Sequence, residues 1–148
     1  CPYCKGNRFT IGYANVYITS YDKLRHWKHQ YGGLIKSIVF DEAQELRRRD
    51  SQKYEACQMV AAHAEYRLGL SATPVANWGS EMFNIMSILL PDQFHNRSQF
   101  RDEWCDLTAK SSGEYPLQDP EALSRYLLDN LMMIRRERRD VGREIPPQ

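Results

Sequence analysis

Asp41 and Glu42 follow without a break on the apolar run Ser37-Ile38-Val39-Phe40, and Gln44 comes two positions later. Residues of that character read as a strand buried in a sheet. A strand that ends in adjacent carboxylates creates an electrostatic demand, because an unpaired buried charge is costly unless it meets a metal or a partner. The acids therefore ask for a cation. Two further polar sets share this placement: Thr19-Ser20-Tyr21-Asp22 follows Asn15-Val16-Tyr17-Ile18, and Ser71-Ala72-Thr73-Pro74 follows Arg67-Leu68-Gly69-Leu70. Two carboxylates, an amide and several hydroxyls suit a magnesium nucleotide and a moving polar polymer better than a hydrophobic ligand.

The elements that must position these sets follow from the intervening sequence. Residues 15–18, 37–40 and 67–70 are expected to be strands. Between them lie two stretches long enough for crossover helices. The first runs from about Tyr21 to Tyr31 and stops at Gly32-Gly33; the second runs from about Ser51 to Ala64, with Tyr54, Cys57, Met59, Val60, Ala61 and Ala64 at broadly helical spacing. Strand, helix, strand, helix, strand implies a parallel sheet with right-handed crossovers, whose strands all deliver their C-terminal ends to one edge. Ligands of open α/β sheets bind outside those ends. Downstream, Ser80 to Leu90 places Phe83, Met86, Leu89 and Leu90 on one helical face and stops at Pro91. Asp119-Pro120-Glu121 opens another helix, with Leu123, Leu127 and Leu131 as a stripe running down to Met133. Lys110 to Gln118 lacks periodicity and is expected to be a mobile loop.

Bulk composition excludes several classes. With 148 residues, 42% apolar and 26% charged, the chain fits one globular domain with a real core. A net charge of +1 is incompatible with a uniformly basic nucleic-acid surface, although Arg47 to Arg49 and Arg135, Arg136, Arg138 and Arg139 form two local clusters. No apolar run approaches the ~18 residues of a membrane span and no signal-peptide pattern is present, so an intracellular, soluble protein is expected. The chain begins at Cys1 with no strand before it, which is the expectation for a piece of a longer protein. Cys1-Pro2-Tyr3-Cys4 has three readings: a redox pair, half a zinc site completed by upstream sequence, or a plain loop. Cys57 and Cys105 stand alone in helical patterns and read as core residues.

At this point the motifs resemble a known family. Ser37 to Gln44 resembles motif II of the superfamily two helicases, the Walker B strand with its Asp-Glu-x-x box, here a DEAQ box. Residues 67–77, RLGLSATPVAN, resemble motif III with its SATP core, and NVYITSYDKL resembles the motif Ib region that touches the nucleic-acid backbone. GSEMFNIMSILLPDQF, FRDEW and LMMIRRERRDVGREIPPQ are similar to the Swi/Snf-type DNA translocases, in which the first RecA-like lobe closes with a helical extension, an Arg-Arg pair and a Pro-Pro ending. Motif II alone recurs by chance; the ordered set from about Asn15 to Gln148 does not. Two departures are visible: Gln44 stands where that family more often has His, and Ser71-Ala72-Thr73-Pro74 where it more often has Gly-Thr-Pro.

The resemblance implies an α/β fold: a partial RecA-like parallel sheet with crossover helices, followed by a helical extension. Residues 1–14 would be an N-terminal loop or linker remnant, 15–92 the C-terminal half of the ATP-binding lobe 1, and 93–148 the helical extension that closes it. ATP and Mg²⁺ are the implied cofactors. Asp41 would hold the Mg²⁺, Glu42 would orient the attacking water, and Gln44 would relay the nucleotide state to the coupling residues Ser71, Ala72 and Thr73. Thr19 and Ser20 would contact nucleic-acid phosphates, with double-stranded DNA the expected track. Arg135 and Arg136 are candidates for a further phosphate or DNA contact. The phosphate-cradling loop needs Gly-Lys-Ser/Thr, and no Gly-Lys pair occurs in the 148 residues. A Walker A segment is therefore expected upstream, with a second RecA-like lobe elsewhere in the same protein, and the chain by itself is expected not to turn over ATP. The rival reading is a non-catalytic nucleic-acid or protein binding module that kept the fold; two intact acids argue against it.

Overall fold

The computed structural model describes residue 12 and residues 14–72, 78–109 and 114–136. Helix α1 (Tyr21–Tyr31) starts where the Ser20 hydroxyl oxygen accepts from the Lys23 backbone N–H, carries Asp22 in its first turn and Lys28 and His29 in its last, and ends at Gly32. Strand β1 (Ser37–Asp41) passes through a 3₁₀ turn, Ala43–Arg47, into helix α2 (Gln52–Ala61), which Ser51 caps through the Tyr54 N–H. The Glu65 and Tyr66 N–H groups both donate to the Lys36 carbonyl, at 2.8 and 3.0 Å. That fork sets the start of strand β2 (Tyr66–Leu70), which pairs in parallel with β1 from Ser37↔Tyr66 to Asp41↔Leu70. Arg67 Nε donates to the Ala61 carbonyl at 2.7 Å and so closes the C-terminal end of α2. Helices α3 (Gly79–Leu89), α4 (Arg97–Trp104) and α5 (Pro120–Asp129) follow. The described residues thus form a mixed α/β structure of five α-helices and a two-stranded parallel sheet.

Two apolar clusters hold these elements. The first gathers Leu24 of α1, Phe40 of β1, Ala43 and Leu46 of the 3₁₀ turn, Tyr54, Cys57 and Val60 of α2, and Ile85 and Ile88 of α3. The second gathers Met82, Phe83 and Met86 of α3 with Phe94, Phe100, Cys105, Leu123 and Leu127. Helix α3 is buried on both sides and serves both clusters, which its near-continuous apolar sequence permits. Its first residue, Gly79, sits so close to the Cys105 sulfur that a Cβ there would lie 2.2 Å from it. Burial pushes the Cys57 thiol up to about 12 and also raises the Cys105 thiol. Both are buried core thiols, as the sequence suggested.

The structure corrects three expectations and adds one helix. Residues 15–18 are not a strand: Val16 and Ile18 are exposed, and among the described residues the sheet has only β1 and β2, so this segment has no ladder to join. It is held instead by Tyr17, whose hydroxyl takes the Ala14 N–H and donates to the Gly12 carbonyl and whose ring meets Tyr31 edge-on at 5.7 Å. The stripe of α5 stops at Leu127, because the helix ends at Asp129 and Leu131 has a left-handed φ of 58° with its side chain in solvent. The 110–118 stretch is pinned over its described part. Gly79 N–H donates to Tyr115 O, Asp106 N–H to Pro116 O and Gln118 N–H to Trp104 O, all within 3.0 Å. Helix α4 was not anticipated; its single buried residue, Phe100, gives almost no periodic signal, and Asn96 starts it by accepting from the Ser98 and Gln99 N–H groups.

One face of the sheet carries Ile38, Phe40 and Gly69 toward the helices. On the other, Val39, Tyr66, Leu68 and Leu70 remain about half exposed. Among the described residues no helix is long and apolar enough to cross a membrane. Leu46, with no exposed surface, is predicted to cost about 2–5 kcal/mol when cut to alanine, measured as a shift in denaturation midpoint. The uncovered apolar sheet face should make the 148-residue chain self-associate at micromolar concentration, and Leu68→Lys should weaken that association. Light scattering that finds a monodisperse monomer would contradict it.

Candidate functional site

The strand end becomes a site because of how the chain leaves it. Glu42 adopts a left-handed backbone (φ 53°, ψ 55°), which turns the chain sharply out of β1 into the 3₁₀ turn. A glutamate in that region costs about 1–2 kcal/mol, so packing elsewhere must enforce it. Ala43 and Leu46 supply that packing. They lie three residues apart, on one side of a 3₁₀ turn, and both are buried. Gly69 of β2 lets the strand approach beneath them: a Cβ at this position would lie 3.1 Å from the Ala43 Cβ and 2.7 Å from Leu89 Cδ1. Asn84, the buried polar side chain of α3, donates through Nδ2 to the Arg47 carbonyl at 2.7 Å and holds the far end of the turn.

With the turn fixed, its polar side chains converge. The Gln44 amide nitrogen donates to Glu42 Oε2, and its carbonyl oxygen accepts from the Ser71 hydroxyl at 2.6 Å. One side chain thus joins the acid at the end of β1 to the hydroxyl beyond the end of β2. Asp41 Oδ1 accepts from the Glu42 N–H at 3.1 Å. On the other side of the same peptide unit, the Tyr21 hydroxyl donates to the Asp41 carbonyl at 2.7 Å. The Tyr21 ring stacks on Phe40, with 6.4 Å between centroids and 9° between planes. Burial, reinforced by surrounding negative charge that includes Glu45, Asp41 and Glu42, raises the Tyr21 hydroxyl well above the ordinary tyrosine range, so it stays protonated and donating. Asp41, Glu42, Gly69, Leu70, Ser71, Ala72 and Ile134 line an open depression at this edge.

Five of the residues singled out in the sequence therefore share one edge: Asp41, Glu42, Gln44, Ser71 and Ala72. Thr73 lies outside the described residues, as do Cys1, Cys4, Arg138 and Arg139. Thr19 is exposed two residues before Tyr21, and Ser20 caps α1 while its hydroxyl hydrogen remains able to donate. Arg135 and Arg136 are exposed and follow Ile134, which reaches the depression from beyond α5. Arg47, Arg48 and Arg49 are exposed at the end of the 3₁₀ turn. Among the described residues no three His, Cys, Asp or Glu side chains cluster as a metal cage. Tyr21, Gly69 and Asn84 escaped the sequence reading. Asn84 was detectable in principle, as the one amide inside the run Met82-Phe83-Asn84-Ile85-Met86.

Comparison with known proteins adds the family. The SNF2-related domain matches residues 6–148. The chromatin-remodeling ATPase INO80 of Cryptococcus neoformans is 27% identical over 135 residues, covering 88% of this chain and 8% of that protein. An uncharacterized ATP-dependent helicase of Bacillus subtilis, YqhH, is 30% identical over 105 residues, covering 71% of this chain and 17% of its own. The ATP-dependent helicase BRM of Arabidopsis thaliana is 29% identical over 106 residues, again 71% of this chain and 5% of the relative. The chain spans less than a fifth of the length of each of these relatives. A match over almost the whole chain, with the acids, amide and hydroxyl gathered at one sheet edge, leads to one conclusion: this chain belongs to the SNF2-related domain family.

Proposed function

We propose that this chain is part of the motor of an ATP-dependent DNA translocase or helicase, contributing the Walker B and motif III half of a first RecA-like lobe (15–92) and the helical extension (93–148) that closes it. The observation that carries the reading is Gln44, whose one amide engages both Glu42 and Ser71. A structural surface glutamine has no need of two partners on two strand ends. A relay between a hydrolytic acid and a track-sensing hydroxyl does. The names of the relatives, ATPase and helicase, support the same class of activity, and two of them act, by name, as ATP-dependent helicases.

In this reading Asp41 is the magnesium ligand. An exposed carboxylate at an open depression fits Mg²⁺, which keeps most of its water shell and takes few carboxylates. The ion, when bound with ATP, would neutralise charge developing on the phosphates. Glu42 orients and polarises the attacking water, and its left-handed backbone aims the carboxylate toward Gln44 instead of along the strand. Ser71 and Ala72, with Thr73 beyond them, pass the state of the site toward the track, and Thr19 and Ser20 donate to backbone phosphates of double-stranded DNA. Arg135 and Arg136, beside Ile134, add positive charge near the same edge. The Walker A segment and second lobe come from the rest of the protein, which acts inside the cell, and the isolated chain stays inactive.

Two substitutions in the full-length protein should fail differently. Glu42→Gln removes the charge that polarises water, so ATP binding survives while hydrolysis falls by about 10²-fold or more. Ser71→Ala with Thr73→Ala leaves the acids alone, so hydrolysis persists and triplex displacement along DNA is lost. Equal loss of both activities in the double alanine variant would place those hydroxyls in the hydrolytic site itself. The backbone strain gives a separate expectation. Glu42→Asn, a residue that tolerates left-handed φ, should hold or raise stability by up to about 1 kcal/mol, whereas β-branched Glu42→Val should lower it by about 1–2 kcal/mol. Identical denaturation midpoints for the two variants would show that the turn carries no strain.

A further inference from the structure

We propose that Tyr21 is a positioning residue that couples the phosphate-contacting segment at Thr19 and Ser20 to the orientation of Glu42. The inference rests on the function proposed above and adds to it a physical link between track and acid. Tyr21 is the first residue of α1, directly after Ser20, so any shift of that helix start moves its ring. The ring lies flat on Phe40, the residue preceding Asp41 in β1, and its hydroxyl ends 2.7 Å from the Asp41 carbonyl.

That carbonyl belongs to the same peptide unit as the Glu42 N–H. The unit is planar and rotates as one body. It is held at both ends: Tyr21 takes the oxygen, and Asp41 Oδ1 takes the N–H at 3.1 Å. Rotation of the unit changes the φ of Glu42 together with the ψ of Asp41, so the two bonds that hold the unit also hold the left-handed turn. The Tyr21 bond therefore adds to the packing of Ala43 and Leu46 in holding the strained conformer. In that conformer the Glu42 carboxylate meets Gln44, and a turn of the peptide unit would re-aim it. Pressing a phosphate backbone onto Thr19 and Ser20 fixes the start of α1, tightens the Tyr21 bond and favours the aimed state. Releasing the track loosens it.

The test uses the full-length protein and Tyr21→Phe, which keeps the ring on Phe40 and removes only the hydroxyl. DNA-stimulated kcat should fall about three- to tenfold, the size of one neutral hydrogen bond, while the rate without DNA falls less. KM for ATP should stay within about twofold and the melting temperature within about 2 °C, because neither nucleotide contacts nor ring packing change. Thr19→Val, made alone and together with Tyr21→Phe, extends the test. The two losses in stimulation should combine to less than their product, the mark of residues on one path. Stimulated and basal rates falling in equal proportion, an unchanged stimulated rate, or a fully multiplicative double variant would each overturn the coupling. Failure of the underlying function would look different: the unsubstituted protein would show no magnesium-dependent, DNA-stimulated hydrolysis, or Glu42→Gln would leave it intact.

Discussion

Ala43 and Leu46 sink into the core one 3₁₀ turn apart, and that burial is the constraint from which the polar edge follows. Strand β1 could have run on in an extended conformation, leaving alternate residues on opposite faces and scattering its acids. Anchoring Leu46 beside α2 and α3 forces the chain to bend immediately after Asp41. The bend puts Glu42 into a backbone region that glutamate avoids, and lifts Gln44 to the rim. Hydrophobic free energy from a residue with no exposed surface thus maintains the strain at an exposed acid. The hydrogen bonds among Glu42, Gln44 and Ser71 are consequences of that geometry, and none of them, near solvent, is strong enough to impose it.

The sheet edge was legible in the sequence because its signals are local. An apolar run ending in Asp41-Glu42, and a second ending at Ser71, fix two strands, and the helix between them fixes their parallel sense. Caps were equally readable: Ser20, Ser51 and Asp119 each start the helix that their sequence announces. What escaped was whatever depends on a distant partner. Val16 and Ile18 have strand-like character, but a strand exists only when another strand takes its hydrogen bonds. The 114–118 segment looks unstructured in sequence, yet it is tied down by Gly79, Trp104 and Asp106, whose bonding partners in it lie between 10 and 36 positions away. Tyr21 was read as a helix-start residue; its role depends on Asp41, far along the chain and adjacent in space.

The double allegiance of α3 links the halves of the chain mechanically. Ile85 and Ile88 belong to the cluster under the acids, while Met82, Phe83 and Met86 belong to the cluster that α4 and α5 complete. Asn84 lies between these sets and reaches the carbonyl that ends the 3₁₀ turn. Tyr54 and Ser87, 3.1 Å apart, add a second polar tie between α2 and α3. A rigid helix packed on both sides transmits displacement because close-packed interiors have few voids to absorb it. The helical part beyond α3 is therefore structurally continuous with the polar edge, and not an appendage hung on it.

Gly69 carries an implication for how such chains vary. Its missing side chain is filled from two directions, by Ala43 from the turn and by Leu89 from α3. The three positions share one small volume. A relative that has alanine at the position of Gly69 must rotate or shorten its counterpart of Leu89. One with anything larger must also give up the methyl of Ala43, and glycine there would soften the turn that bears the acids. Natural sequences should therefore trade bulk among these three sites while keeping their sum nearly constant.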